Sequence, residues 1–323
     1  MDKIDRRIIH ALDTNSRAQN TEIAKNVGIS KQLLKYRLGT LLNHGVIEKF
    51  YTVINGVKFG LIYFRVYIRL QGVAEEQEAE LIQSLISNPY ITWVVKCRGQ
   101  WDLIISIYAK DTEHFSNNFQ SMVDKFQKNI LKKKIVLIRN VIFLTRNYLS
   151  EDANSFVSVY GGVTENIKMD EREHKILFEL ARNSRITILS LAEKAHTAPD
   201  TVRSKIKKLE KSGIIKAHKV AISYSKTNIL FFLVSVTLSS TSEVSRKKLE
   251  DYCKSHSNVI YLVNLLGDHE MDLEIEVNRQ EEIDNLLRDL RNKFPNIIRD
   301  METTQITGQH KLEYYPFREN PTK

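Results

Sequence analysis

The sequence predicts an α+β chain made of two tandem copies of one unit, each a winged helix-turn-helix followed by a ferredoxin-like βαββαβ domain. Three observations predict it. The chain has 323 residues, about twice the length of a common single domain. A shift of 168 residues carries Asn15-Ser16-Arg17 onto Asn183-Ser184-Arg185 and pairs Leu12 with Leu180, Ala24 with Ala192, Gly45 with Gly213, Val66 with Val234, Gly99 with Gly267 and Ile130 with Ile298. Within each copy, apolar spacing of helical period then gives way to alternation of period two.

In the first copy, Ile4, Ile8, Ile9 and Leu12 form the stripe of an amphipathic helix. A short helix with Ile23, Ala24 and Val27 follows, then the turn Gly28-Ile29-Ser30, whose serine can cap the next helix. That helix buries Leu33, Leu34, Leu38, Leu41 and Leu42 and stops at Gly45, and Val46 to Ile54 reads as a short hairpin wing. The second copy repeats the series, except that His196-Thr197-Ala198-Pro199-Asp200 replaces the Gly-Ile-Ser turn. Thr197 with Asp200 makes a capping box that would start this helix in a different register.

The rest of each unit reads strand, helix, two strands, helix, strand. In the first copy these are Ile62–Leu70, Glu75–Ile86, Ile91–Arg98, Leu103–Tyr108, Thr112–Phe126 and Ile135–Leu144. The expected domains are therefore 1–58 and 169–226 for the winged helices and 59–149 and 227–318 for the βαββαβ units. Residues 150–168 form a polar Gly-Gly linker with room for a strand at Phe156–Tyr160, and 319–323 a tail.

Read in order, Asp2-x-x-Asp5-Arg6-Arg7-Ile8-Ile9, Asn15-Ser16-Arg17, Glu22-Ile23-Ala24, Val27-Gly28-Ile29-Ser30, Arg37-Leu38 and Gly45-Val46-Ile47 resemble the DNA-binding signature of the Lrp/AsnC, or feast/famine, regulators. Gly99-x-x-Asp102 is similar to that family's effector-loop motif, in the βαββαβ domain called RAM. The resemblance implies a regulator of transcription that binds double-stranded DNA and answers to an amino-acid-like effector. Gly99, Gln100 and Asp102, with Gly267, Asp268 and Glu270 in the second copy, would hold or gate that effector. A plain hairpin turn is the simpler reading of the same residues. The family usually carries one copy per chain, so the fusion implies an intrachain pseudo-dimer, with further homo-oligomerisation.

Charge agrees with a nucleic-acid partner. Lys plus Arg exceed Asp plus Glu by 48 to 39, and the excess is concentrated on the winged helices: +5 over residues 1–58 and +6 over 168–223, against +1 and −3 for the two sensor segments. Off the leucine stripe, Ser30, Lys31, Gln32, Lys35, Tyr36 and Arg37 would face base edges and flanking phosphates, with Arg203, Ser204 and Lys205 as counterparts. Lys49, Tyr51 and Lys219 would sit on the wings near phosphate.

Alternation assigns the faces of the two βαββαβ sheets. Phe64, Val66, Ile68, Trp93, Val95, Cys97, Leu103, Ile105 and Ile107 are expected against the helices, leaving Arg65, Tyr67, Arg69, Lys96 and Arg98 on the open face. The second copy's open face carries Asp272, Glu274 and Glu276. A basic sheet facing an acidic one would specify pairing of unlike copies; ordinary solvated charge is the alternative.

Two cysteines without CxxC spacing, and a start without an apolar signal region, lead to a cytoplasmic protein with no membrane segment, no metal and no cofactor. The sequence has no phosphate-binding loop, GxSxG or HExxH, so no enzyme is expected. Siroheme decarboxylases resemble the same two-part fold and supply the alternative, but the relevant strands read Trp93-Val-Val-Lys-Cys97 and Tyr261-Leu-Val-Asn-Leu265, without a His-Asn-Tyr element. A nucleoid-type architectural DNA binder is the third reading.

Overall fold

The computed structural model describes residues 1–150, 157–239 and 242–318; the expected tail, and Phe156 of the linker strand, lie outside them. The first copy opens with α1 (Lys3–Thr14), α2 (Asn20–Val27) and α3 (Lys31–Asn43), followed by β1 (Ile47–Ile54). Asp2 and Asp5 form a reciprocal capping box at α1, and Ser30 caps α3 by accepting from the Leu33 amide. The sensor half is β2 (Ile62–Leu70), α4 (Glu75–Ser87), β3 (Ile91–Arg98), β4 (Leu103–Ala109), α5 (Thr112–Val123) and β5 (Ile130–Leu144). A joining strand, β6 (Val157–Gly161), precedes the second copy. That copy comprises α6 (Glu171–Arg182), α7 (Ile188–Lys194), α8 (Pro199–Lys211), β7 (Ile215–Ile222), α9 (Tyr224–Thr227), β8 (Leu230–Leu238), α10 (Glu243–Ser255), β9 (Val259–Leu266), β10 (Met271–Val277), α11 (Gln280–Lys293) and β11 (Ile298–Leu312).

The expected hairpin wings are not formed. Each copy contributes a single strand, and β1 pairs antiparallel with β7 of the other copy. Each strand then serves the opposite helices: Val220 and Ile222 of β7 complete the core of α1, α2 and α3. The alternation in Val46–Ile54 is therefore that of one long two-faced strand, not of a turn-linked pair. The altered register expected for α8 does not occur either. His196 takes the left-handed backbone (φ 48°) that Gly28 takes in the first copy (φ 72°), and Ala198 rather than Thr197 stands at the N-cap. The helix starts where its counterpart does, and Pro199 is preset for that first position.

The sensor halves each form the order expected of a ferredoxin-like unit, β5-β2-β4-β3 and β11-β8-β10-β9. The two sheets join through β3–β11 and β5–β9, so that all but β6 close into one barrel. Helices α4 and α5 cover one half from outside and α10 and α11 the other. The long strands β5 and β11 reach from their own sheet into the partner sheet, and burial of both sheets' inner faces against each other is what makes the fused chain one body. The joining strand β6 lies tight against this body: Gly161 (φ 92°) passes so close to β5 that a Cβ there would lie 2.8 Å from the Asn140 Cα.

Candidate nucleic-acid interface

The two helix-turn-helix units meet at their repeated Asn-Ser-Arg turns. Ser16 Oγ and Ser184 Oγ lie 2.6 Å apart. Arg17 donates to the Ser184 and Ile186 carbonyls at 2.6 and 3.1 Å, and Arg185 returns the contact to Ser16 and Ala18. These arginines are half-buried and occupied. Sequence reading placed the motif in a DNA-binding signature, and the structure places it between the copies.

On α3, Lys31, Gln32, Lys35 and Tyr36 are exposed, Tyr36 to 70%, because the leucines on the opposite face pack into the core. Ser30 is exposed but committed to its cap. Arg37 is turned back to Asp2 and Asp5 at 2.5 and 3.3 Å, and Lys205 makes the equivalent contacts with Asp170 and Glu173. Arg203 and Ser204 are exposed on α8, with Arg203 paired to Asp200.

Three expected DNA contacts are corrected. Tyr51 is 1% and Lys219 2% exposed, and Lys49 is half-buried with its ammonium donating to the Leu312 carbonyl. They lie on β1 and β7, whose pairing turns these positions inward over the barrel rather than outward on a wing. Tyr51 stacks on Tyr314 at 5.7 Å and meets the Tyr261 hydroxyl at 3.2 Å. Lys219 donates to the Leu144 carbonyl and lies 3.2 Å from Asp13; burial pulls its ammonium pKa down, opposed by Asp13.

Inside the barrel, Arg65 donates to Asp272 and to Glu274, each at 2.9 Å, with the three residues at most 5% exposed. Tyr67 and His269 also bond Asp272. Burial alone would raise the Asp272 carboxyl, but His269 and Arg65 outweigh it and hold it below the usual range, whereas burial dominates at Glu274 and pushes it up. Glu276 does not meet the first copy's basic set. Its partner is Arg146, at 2.8 and 3.0 Å, which also bonds Asp13 at 2.6 Å, while Tyr148 and Tyr224 donate to Glu276.

Arg69, Lys96 and Arg98 face no acid of the other sheet. Arg69 bonds Asp102 and the Gly99 carbonyl, Lys96 bonds Glu78 of α4, and Arg98 is exposed. For β3 the expected face was inverted: Trp93, Val95 and Cys97 line the barrel interior and Val94 packs under the helices. A register shift between Ile91 and Trp93 sets this parity, and a strand apolar on both faces gives alternation nothing to choose by.

The loop residues form matching turns. Asp102 accepts from the Leu70 amide at 2.7 Å and Glu270 from the Leu238 amide at 2.8 Å, so the longer acid makes the same bond at the equivalent place. Gln100 reaches Glu302, Gly99 and Gly267 run against β11 and β5, and Asp268 is exposed. His269, between Asp268 and Glu270 in sequence, is bonded to Asp272 at 2.8 Å. Where the barrel meets the β1–β7 ribbon lies a cavity of about 30 Å³ bordered by Arg65, Arg146, Glu274, Tyr51, Tyr63 and Tyr314 among others.

Asp13 and Arg146 were missed from sequence. A signal existed: their counterparts under the 168-residue shift are Ala181 and Tyr314, and an ion with an uncharged twin marks a place where the two copies stop being equivalent.

A winged helix-turn-helix DNA-binding family model matches residues 1–48 and again 169–216. The regulator FL11 of Pyrococcus furiosus is 30% identical over 127 residues, spanning 39% of this chain and 82% of that protein. The regulator AldR of Mycobacterium tuberculosis is 32% identical over 114 residues, 35% of this chain and 64% of that one. Both alignments are about one copy long. Over the whole length, the fold is similar to that of the siroheme decarboxylase NirDL (TM-score 0.63, 12% identity, 98% of this chain and 95% of that one). Among the described residues no helix is long and apolar enough to cross a membrane.

Proposed function

Because the chain belongs to the Lrp/AsnC family of DNA-binding transcriptional regulators, in a form that carries two copies in one polypeptide, we propose that a single chain grips double-stranded DNA as that family's dimer would, with α3 and α8 in adjacent major grooves about one helical turn apart. The observation that carries this is the pair of equivalent helices, clasped through Ser16 and Ser184, of which α3 presents an exposed face of Lys31, Gln32, Lys35 and Tyr36. Lysine and glutamine at the start of such a helix suit phosphate and adenine edges. The helices differ in sequence, so the site is asymmetric.

An amino-acid-like effector at the loops Gly99–Asp102 and Gly267–Glu270 is part of this reading. Both loops lie on the barrel seams, where a ligand would act on how the sheets join. Arg65 with Asp272 and Glu274 supports pairing of unlike copies.

The likeness to NirDL is one of fold. The cavity bordered by Arg65, Arg146 and Glu274, about 30 Å³, holds little more than water, so a tetrapyrrole does not fit at that place without rearrangement.

The experiment is selection from a randomised duplex pool, with affinity for the enriched sequence followed against salt. Enrichment of an asymmetric site with a steep salt slope is expected. Salt-dependent binding without enrichment would replace the regulator with an architectural binder. No binding would return weight to the enzyme, for which a Soret shift on adding a tetrapyrrole is the check.

A further inference from the structure

The two recognition helices carry their charge at opposite ends. On α3 the exposed polar side chains are at the N-terminal half, and the rest of its outer face is Gly39, Thr40, Leu42 and Asn43, without a charge. On α8 the N-terminal half is obstructed. Asp200 is 93% exposed and engaged by Arg203, and Lys205 is held by Asp170 and Glu173. Its C-terminal half instead exposes Lys207, Lys208 and Lys211, which with Ser204 and Ser212 line a shallow groove. Lys208 touches Glu173 at 3.0 Å; Lys207 and Lys211 pair with no carboxylate among the described residues. Just beyond the helix, Lys216 and Lys58 come together beside Gly213, with Lys58 paired to Glu165.

The two ends of a helix lying in the major groove meet different parts of the duplex. N-terminal side chains reach base edges, and the C-terminal end can contact the backbone. An exposed carboxylate at the N-terminal end repels phosphate, whereas lysines at the C-terminal end meet the backbone, where they act as point charges toward phosphate and read no base pattern.

We infer that the two helices have separate roles on DNA. Helix α3 reads bases, while Lys207 and Lys211 of α8 clamp phosphates without reading sequence, so the bound duplex has one specified half-site and one that tolerates substitution. This rests on the DNA-binding reading above. It differs from a symmetric dimer, in which both half-sites carry equal information.

The test uses the full chain and the selection just described. Wild type should enrich a site with information in one half only. The double variant Lys207→Gln/Lys211→Gln should enrich the same motif, bind it and a random duplex more weakly by the same factor, and lower the slope of log K against log salt by about 2, since each phosphate contact contributes about 0.9. Glutamine keeps helix propensity, and thermal unfolding should be unchanged. The variant Gln32→Ala/Lys35→Ala should lose the motif. Two equally informative halves in the wild-type site, a changed motif in the α8 variant, or an unchanged salt slope would overturn the division of labour while leaving DNA binding intact. A lowered melting temperature with an unchanged slope would assign the lysines to the helix dipole instead. A wild-type chain that binds no duplex, or enriches none, would overturn both this inference and the reading beneath it.

Discussion

Ser16 and Ser184, 168 residues apart in sequence, share a hydrogen bond of 2.6 Å at the meeting point of the two copies. Each is fully buried, and each is followed by an arginine that bonds the other copy's turn. The same serine and arginine thus do the same job twice, once in each copy.

Arg17→Ala/Arg185→Ala should loosen this clasp. It leaves carbonyls of both turns without their charged donors, at a cost of about 1–3 kcal/mol, and frees the spacing of α3 and α8. Urea unfolding should show the loss, and affinity for the enriched site should fall more than affinity for random duplex. Equal losses for both DNAs would mean that the clasp does not set helix spacing.

Arg65→Leu strands two buried carboxylates and should destabilise by about 3–5 kcal/mol. Adding Asp272→Asn and Glu274→Gln should recover a large part, because the stranded charges are gone. Charge reversal at Glu276 should respond instead to changes at Arg146, its actual partner. If the triple variant is no more stable than Arg65→Leu, the arginine acts through packing against Trp93, 4.9 Å away, rather than through its acids.

Acid should weaken the barrel in a defined window. Asp272 and Asp13 are held below the ordinary carboxylate range by their basic partners. Their contribution is full above the unfolded aspartate pKa of about 3.9 and is lost as pH falls through the depressed folded values. Glu274, pushed up by burial, acts with the opposite sign. Asp272→Asn should therefore be less stable than wild type at neutral pH, by about 3 kcal/mol, with the deficit shrinking below about pH 4. A deficit constant with pH would show that the ion contributes nothing to folding.

Lys49→Met and Lys219→Met should leave the salt slope of DNA binding unchanged, since both ammonium groups face the protein interior. Lys31→Met, at the exposed start of α3, should reduce it by about 1. Lys219→Met should also cost stability, because Asp13 loses one of its two buried cations. A flatter slope for Lys219→Met would require the β1–β7 ribbon to open on DNA.

Much of this protein was legible in one dimension. A constant offset over more than a hundred positions reveals a duplication without any structural information, and helix and strand periods locate the βαββαβ series because each element has one face to bury. The exposed residues of α3 follow from the same argument. Where both faces of a strand are apolar, as in β3, the pattern loses its power, and a single bulge decided which side Trp93 and Lys96 occupy.

What only the tertiary structure decided is which copy each strand serves. Hydrophobic pattern says that β1, β7 and the C-terminal half of β5 must be buried, and it is silent on against whom, since the two copies offer nearly the same core. Exchange of β1 and β7 put Tyr51, Lys49 and Lys219 inside rather than on a wing. Closure of two sheets into one barrel brought Arg146 to Asp13 and Glu276, residues distant in sequence whose charges are tolerable in the interior only because they neutralise one another there.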